Sequence, residues 1–398
     1  MISDEMAGRD FWLILLARVL RAFGFGVAAV LVGLHLERRG LSPGAIGLTL
    51  TIGLLAGALF GLAAAAASAR IGRRWTLALA GVLMAVTGID LALASAPWLL
   101  GLAGITGMLG AASIDVGPFA SIEQAALAES VEPGRRNLAF ARYSLTGGLA
   151  VAAGAVVASS ATTLQRGQWL FAGYAALGLV TAVLAAYLSP RAEAAIRGTV
   201  FSRRQLRTLG PLSSLFAIDA LGGGLVVQAV IAYWLHVRFG AGVGVLGPAF
   251  AIIALVQAGS YEIAGRLSNR IGLIRTMVFT HVPSNILLIL VPFSPSLRWA
   301  LGLLIARFCL SQMDVPARQA YVVSIVPPAE RAGALAVTGA VRGVAQAAGP
   351  ALAGAAIRGA ALGLPFYLAG VLKLVYDVSL YAGFRRRPAA HESIIPPQ

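Results

Sequence analysis

Charge is scarce in this chain. Charged residues occupy 12% of its 398 positions, about half of the ~25% usual for a soluble domain. Lysine is almost absent: Lys373 is the single lysine among 31 cationic side chains. There is one cysteine, Cys309, which excludes an internal disulfide or a thiolate metal cluster. Set in an apolar run, it reads as a small buried apolar side chain. The four histidines, His35, His236, His281 and His391, share no ligand spacing, so no metal site is expected. No Gly-x-x-x-x-Gly-Lys loop occurs, which excludes ATP as the direct energy source. No nucleophile–base pair stands out either, so an enzyme is not expected and no cofactor is implied. The ~10-residue alternation of a membrane barrel is missing as well.

What fills the chain is apolar. The hydrophobic fraction is 58% and the mean hydropathy is +0.82, a membrane-protein composition. The length holds about twelve spans of ~20 residues, with no room for a large soluble domain. The apolar segments run 11–34, 44–67, 75–96, 98–128, 137–160 and 168–188, then 209–235, 243–264, 276–293, 297–325, 333–357 and 364–384. The fourth is long enough to project past a bilayer. They are expected to be helices, because lipid offers no partner for unpaired backbone groups. The organisation is a six-helix half over 1–188, a basic linker over 189–208, a second six-helix half over 209–384 and a polar tail over 385–398.

The net charge of +15 does not point to nucleic acid, because the arginines sit between apolar segments and not along one face. The even-numbered connections hold Arg70, Arg73, Arg74, Arg135, Arg136, Arg266, Arg270, Arg275 and Arg331, besides five in the linker and Arg385, Arg386 and Arg387 in the tail. The odd-numbered ones hold Arg38, Arg39, Arg166, Arg238, Arg298 and Arg358. By the positive-inside rule both termini and the linker are expected to be cytoplasmic, and the compact 6+6 layout suits a cytoplasmic (inner) membrane. Asp4 and Glu5 stand where a leader would be basic, so no cleavable signal is expected.

The chain repeats itself. Ser68-Ala69-Arg70-Ile71-Gly72-Arg73-Arg74 returns as Ser268-Asn269-Arg270-Ile271-Gly272-Leu273-Ile274-Arg275. Gln124-Ala125, Val131, Pro133, Arg136, Gly148 and Gly154 return, shifted by 195, as Gln319-Ala320, Val326, Pro328, Arg331, Gly343 and Gly349. Two parallel six-segment repeats form a transporter architecture, with the substrate cavity between them near mid-membrane. On these features the chain resembles the major facilitator superfamily. The resemblance implies twelve transmembrane helices in two pseudo-symmetric halves, a cavity lined by segments one, four, seven and ten, and a gating loop after segments two and eight. The loop pattern is Gly-x-x-x-Asp-(Arg/Lys)-x-Gly-(Arg/Lys)-(Arg/Lys). Here Arg70, Gly72, Arg73 and Arg74 fit the first copy, but Ala65 and Ala69 replace its Gly and Asp. Gly265, Arg270 and Gly272 fit the second, with Asn269 at the Asp position, where it could still cap a helix. The Gly-Pro of some drug–proton antiporters is missing from segment five; Gly349-Pro350 lies in segment eleven instead.

Charges inside spans are expensive and functional by default. The cavity segments hold Arg18 and Arg21, Asp115, Asp219, and Arg307 with Asp314. Arg21 and Asp219 occupy matching depths, and the expectation is a switchable network reaching across the two halves. Gln228, Tyr233, Gln257 and Tyr261 are further polar positions, although tyrosine near a span end is a common interface anchor. Lys373 and Asp377, four apart on a peripheral helix, read as an intrahelical pair. The expected function is a monomeric secondary transporter of a small molecule, with protons as coupling ion and efflux as direction. The alternatives are an importer or uniporter of an anionic or zwitterionic solute, and a non-transporting sensor.

Overall fold

The computed structural model describes residues 2–112, 119, 122–123, 126–127, 136–189, 203–325 and 331–384. Asp115, the linker residues 190–202 and the tail lie outside them. The first half comprises α1 (Ile2–Arg38), α2 (Pro43–Ile71), α3 (Arg73–Leu93), α4 (Pro97–Leu102, running into a 3-10 turn, Ala103–Thr106), α5 (Arg136–Ala158) and α6 (Leu164–Ala186). The second comprises α7 (Arg203–Leu225), α8 (Gln228–Phe239), α9 (Val243–Ile271), α10 (Leu273–Leu290), α11 (Leu297–Leu310), α12 (Asp314–Ser324), α13 (Arg331–Ala347), α14 (Gly349–Arg358) and α15 (Leu364–Phe384). They group into the twelve segments of an all-α membrane protein, segments seven, ten and eleven each being two helices end to end. Among the described residues, eight stretches are long and apolar enough to cross a membrane by length and composition. Their outer faces present Trp12, Leu93, Val183 and Val378. Apolar side chains turned outward in such number suit contact with lipid tails.

The ends of these helices follow from local chemistry. Ser42 caps α2 by accepting from the Ala45 amide, with Pro43 at the first helical position. The repeated basic turn has the same geometry in both halves. Gly72 (φ 87°) separates α2 from α3, and Gly272 (φ 88°) separates α9 from α10. Such φ values suit glycine. The hydroxyls of Thr76 and Thr276 each donate to that glycine's carbonyl at 2.8 Å. The glycine is thus the capping residue of the following helix, and Asn269, expected as a cap, lies instead in the last turn of α9. Linker residues from Arg203 onward already belong to α7.

Segment four is not the long continuous helix the sequence suggested. It breaks at Gly107 (φ 69°) and Gly110 (φ 62°). Segment seven breaks at Val226–Val227, just after Gly222-Gly223-Gly224, segment ten at 311–313 and segment eleven at Ala348. A break in lipid persists only where the freed backbone groups find partners. Here the breaks of segments four and seven satisfy each other: the Ala229 amide donates to the Ala111 carbonyl at 3.1 Å, across the two halves. Tyr174 donates from α6 to the Met108 carbonyl in the same break.

The repeat is visible in packing. A Cβ added at Gly26 of α1 would fall 2.2 Å from the Val151 carbonyl oxygen of α5; one at Gly224 of α7 would fall 2.0 Å from that of Gln346 in α13. The positions correspond by shifts of 198 (224 − 26) and 195 (346 − 151). Between halves, α2 meets α13 and α14, α5 meets α9, and α1 meets α8. Near the 39–42 and 359–363 connections, Gly47 lies so close to α14 that a Cβ would sit 2.3 Å from the Pro350 carbonyl oxygen, while the Ala351 amide donates to the Thr51 hydroxyl at 2.9 Å. Small residues permit that approach. A Thr51→Cys/Ala351→Cys pair in a Cys309→Ala background is therefore expected to cross-link on oxidation. Adding Gly47→Leu, an overpacking change of about 1–3 kcal/mol, should cut the yield; absence of the cross-link without that change would show that the halves do not meet there.

Candidate functional site

Two buried polar clusters occupy the interior, one in each half. In the first, Arg21 of α1 is fully buried. Its guanidinium forks onto Glu123, with Nη1 on Oε1 and Nη2 on Oε2 at 2.9 Å. The Tyr143 hydroxyl of α5 donates to Glu123 Oε2 at 2.7 Å. Arg21 also stacks over the Phe119 ring at 4.2 Å, and Arg18, one turn earlier, over the Tyr143 ring at 4.6 Å. The bidentate fork is the strongest geometry available to such a pair, and the tyrosine occupies a further acceptor position on the carboxylate.

In the second half the carboxylate is Asp219 of α7, also buried. Lys373 Nζ of α15 contacts Oδ1 at 2.6 Å, and Arg342 Nη1 of α13 contacts Oδ2 at 2.8 Å. Arg318 of α12 lies 3.7 Å from Oδ2 and pairs with Asp314 at 2.6 Å. His281 of α10 connects this group to a third carboxylate. Its Nδ1 lies 2.9 Å from Asp377 Oδ1 and 3.2 Å from Asn285 Nδ2, and its Nε2 lies 3.7 Å from Asp219. Asn285 donates to Asp377 Oδ2 at 2.8 Å. A carboxylate held by several cations in lipid is stable only because each partner is present: removing one leaves charge uncompensated.

Several expectations change here. Arg21 and Asp219 correspond by the same 198-residue shift as Gly26 and Gly224, but each is satisfied within its own half, by Glu123 and by Lys373 with Arg342, and not by the other. Lys373 and Asp377 do not pair along α15; Lys373 reaches Asp219 and Asp377 reaches His281. Asp314 is engaged by Arg318, so Arg318 is part of the cluster and not its border. Arg307 of α11 is 5% exposed, and its Nε and Nη1 have no hydrogen-bond partner among the described residues. Gln228, the first residue of α8, is buried with its amide nitrogen likewise unpartnered. Asp115 lies outside the described residues. In the basic turns Arg70 and Arg270 are exposed and Arg73 is buried, while the Asn269 side chain is not among those described.

Sequence reasoning missed Glu123, Tyr143, His281, Asn285 and Arg342. A signal existed for the first. Glu123 and Arg318 immediately precede the Gln-Ala pair that anchors the repeat, so the 195-residue shift superposes them. The structure then shows a sign reversal between halves: Arg21 with Glu123 in one, Asp219 with Arg318 in the other.

A protein-family model described as Major Facilitator Superfamily matches residues 14–313 and again 212–397. The chain belongs to the Major Facilitator Superfamily. An uncharacterized membrane protein of Saccharomyces cerevisiae is 24% identical over 428 residues, covering 96% of each chain. Among solved structures, a D-xylose–proton symporter superposes with a TM-score of 0.74 at 16% identity, covering 93% of this chain and 96% of that one. A bacterial homologue of the human lysosomal transporter Spinster, in an inward-facing unoccupied conformation, superposes with a TM-score of 0.70 at 17% identity, over 94% and 96%. At these identities the likeness shows the fold. With its family, the chain is a multi-pass membrane transporter and not an enzyme.

Superfamily membership does not explain the Arg21–Glu123 fork, whose energetics can be measured. Glu123→Ala leaves a buried arginine uncompensated and should cost about 3–5 kcal/mol of stability. The Arg21→Met/Glu123→Leu double variant removes both charges and should recover most of the loss in thermal unfolding of the purified protein. Equal losses in the two variants would mean that the pair's charge is not what stabilises the first half.

Proposed function

We propose that this chain is a proton-coupled secondary transporter that exports a small solute across the cytoplasmic membrane by alternating access, as a monomer with both termini cytoplasmic. The observation that supports it is the Asp219 cluster. Titratable side chains on α7, α10 and α15 are joined through one carboxylate, and α7 belongs to a cavity-lining segment. A proton placed on Asp219 would deprive Lys373 and Arg342 of their counter-charge. Arg342, whose side chain is 25% exposed, would then be free to swing towards the cleft. Proton binding and the charge presented to a solute are thereby linked through one atom pair. Arg70, Gly72, Arg73, Arg74, Asn269, Arg270 and Gly272 form the paired cytoplasmic turns about which the halves would latch, and the missing acid at Ala69 makes the first latch the weaker.

A second reading, import or uniport of an anionic or zwitterionic solute, is favoured by Arg307. A buried guanidinium without a hydrogen-bonded partner is costly, and a carboxylate or phosphate would complete it bidentately. Gln228 could serve the same solute as a neutral donor.

Reconstitution in liposomes carrying an internal pH-sensitive dye tests both readings. Addition of cationic, neutral and anionic small molecules should evoke proton movement with one chemical class. Asp219→Asn should abolish it while leaving the protein monodisperse by size exclusion. Counterflow of an anion with no proton movement, lost in Arg307→Gln, would establish the second reading in place of the first. Silence towards every class would favour a non-transporting sensor.

A further inference from the structure

At the end that carries the odd-numbered connections a small polar contact joins the two halves. Glu37, in the last turn of α1, faces α8 of the other half. Its Oε1 accepts from the Tyr233 hydroxyl at 3.1 Å, and its Oε2 lies 3.2 Å from His236 Nε2. Tyr233 is buried against α1, where a Cβ at Gly33 would lie 3.2 Å from the tyrosine Cβ. Its hydroxyl thus bonds across the contact between the two halves. The other ring nitrogen of His236, Nδ1, lies 2.9 Å from the Ala241 carbonyl oxygen.

That last contact fixes the protonation chemistry. A carbonyl oxygen only accepts, so Nδ1 must carry a hydrogen. In the neutral ring Nε2 is then bare, and its lone pair would point at a carboxylate oxygen, which also only accepts. The contact is attractive in two forms: an imidazolium donating to the Glu37 carboxylate, or a Glu37 carboxylic acid donating to the bare Nε2. Each holds one more proton than the neutral histidine with an ionised glutamate. We infer that Glu37 and His236 form a proton-binding site between the halves, so that closing the cleft at this end takes up a proton and opening it releases one. Both side chains are 35% exposed, and water can deliver that proton from the same side. The site is separate from the Asp219 cluster and sets the bias of the gate, not the stoichiometry of transport.

The neighbouring charged groups are engaged elsewhere. On α1, Arg38 donates to the Ala161 carbonyl, Arg39 to the Ala92 carbonyl, and His35 contacts the Leu91 carbonyl. On α8, Arg238 stacks over Phe239. Arg166 of α6 donates to the Thr162 hydroxyl, and the Arg358 guanidinium of α14 packs at Gly44. The linkage has a definite sign. The closed form binds the extra proton, so acid favours closure, and the closed-to-open ratio changes by at most about tenfold per pH unit for one proton.

The inference takes from the proposed function only that the cleft opens and closes at this end, and a distance measurement reports the gate whether or not any solute moves. Spin labels at exposed Gln165→Cys and Ser296→Cys, in a Cys309→Ala background, span the two halves at this end. In lipid nanodiscs without solute, the short-distance population should fall as pH rises from about 5 to about 8, the range in which histidine pairs change charge. In Glu37→Gln the amide N–H donates to the bare Nε2 without any added proton, so the short distance should persist and the pH response vanish. In His236→Phe the response should vanish with the long distance favoured. A wild-type distance distribution indifferent to pH, or a Glu37→Gln response equal to wild type, would overturn the inference.

Discussion

The Asp219 carboxylate is the contact on which the interior of the second half depends. It lies on α7 among α10, α12, α13 and α15, and each of those four helices sends it a side chain: His281, Arg318, Arg342 and Lys373. The geometry of the half follows from that demand. Lys373 can reach Asp219 only if α15 lies against α7 and α10, and Gly222 and Gly370 permit that packing, since a Cβ at either would press on Lys373, Ala369 or Ile289. The first half meets the same demand more economically, with one fork and one tyrosine.

The duplication has kept the positions and exchanged the charges. Arg21 and Asp219 correspond, as do Glu123 and Arg318. The neighbouring arginine has changed helices as well. In the first half Arg18 of α1 fills the space over Gly147 of α5; in the second, Arg342 of α13, the counterpart of Gly147, reaches the backbone of Phe216, the counterpart of Arg18. What is preserved is a cation between the two helices of each pair, whichever helix supplies it. This complementation keeps each half electrostatically whole while leaving the second with more cations than the first.

Much of this was legible in the sequence. Twelve apolar segments, the linker, the basic turns and the repeat follow from hydropathy and spacing, because a lipid environment leaves helices as the one way to satisfy these backbones. The pairings did not follow. Lys373 and Asp377 share a helix face, and nothing in their spacing says that a better carboxylate and a histidine wait on α7 and α10. Glu123 stood beside the repeat's anchor, but its partner is 102 residues away, a distance only the fold closes. The break in segment four was hidden because it falls at glycines, Gly107 and Gly110, a residue that also serves close packing elsewhere in the chain.

One of those breaks bears on how the halves part. The Ala229 amide and the Ala111 carbonyl complete each other across the seam, so each half borrows from the other the partner its unwound stretch lacks. Separating the halves at this level exposes one donor and one acceptor to whatever replaces the seam, and in hydrocarbon neither could be satisfied. Water must therefore arrive as the halves leave. Opening is in this sense a wetting of the backbone, and the two unwound stretches are the places where solvent first becomes part of the structure.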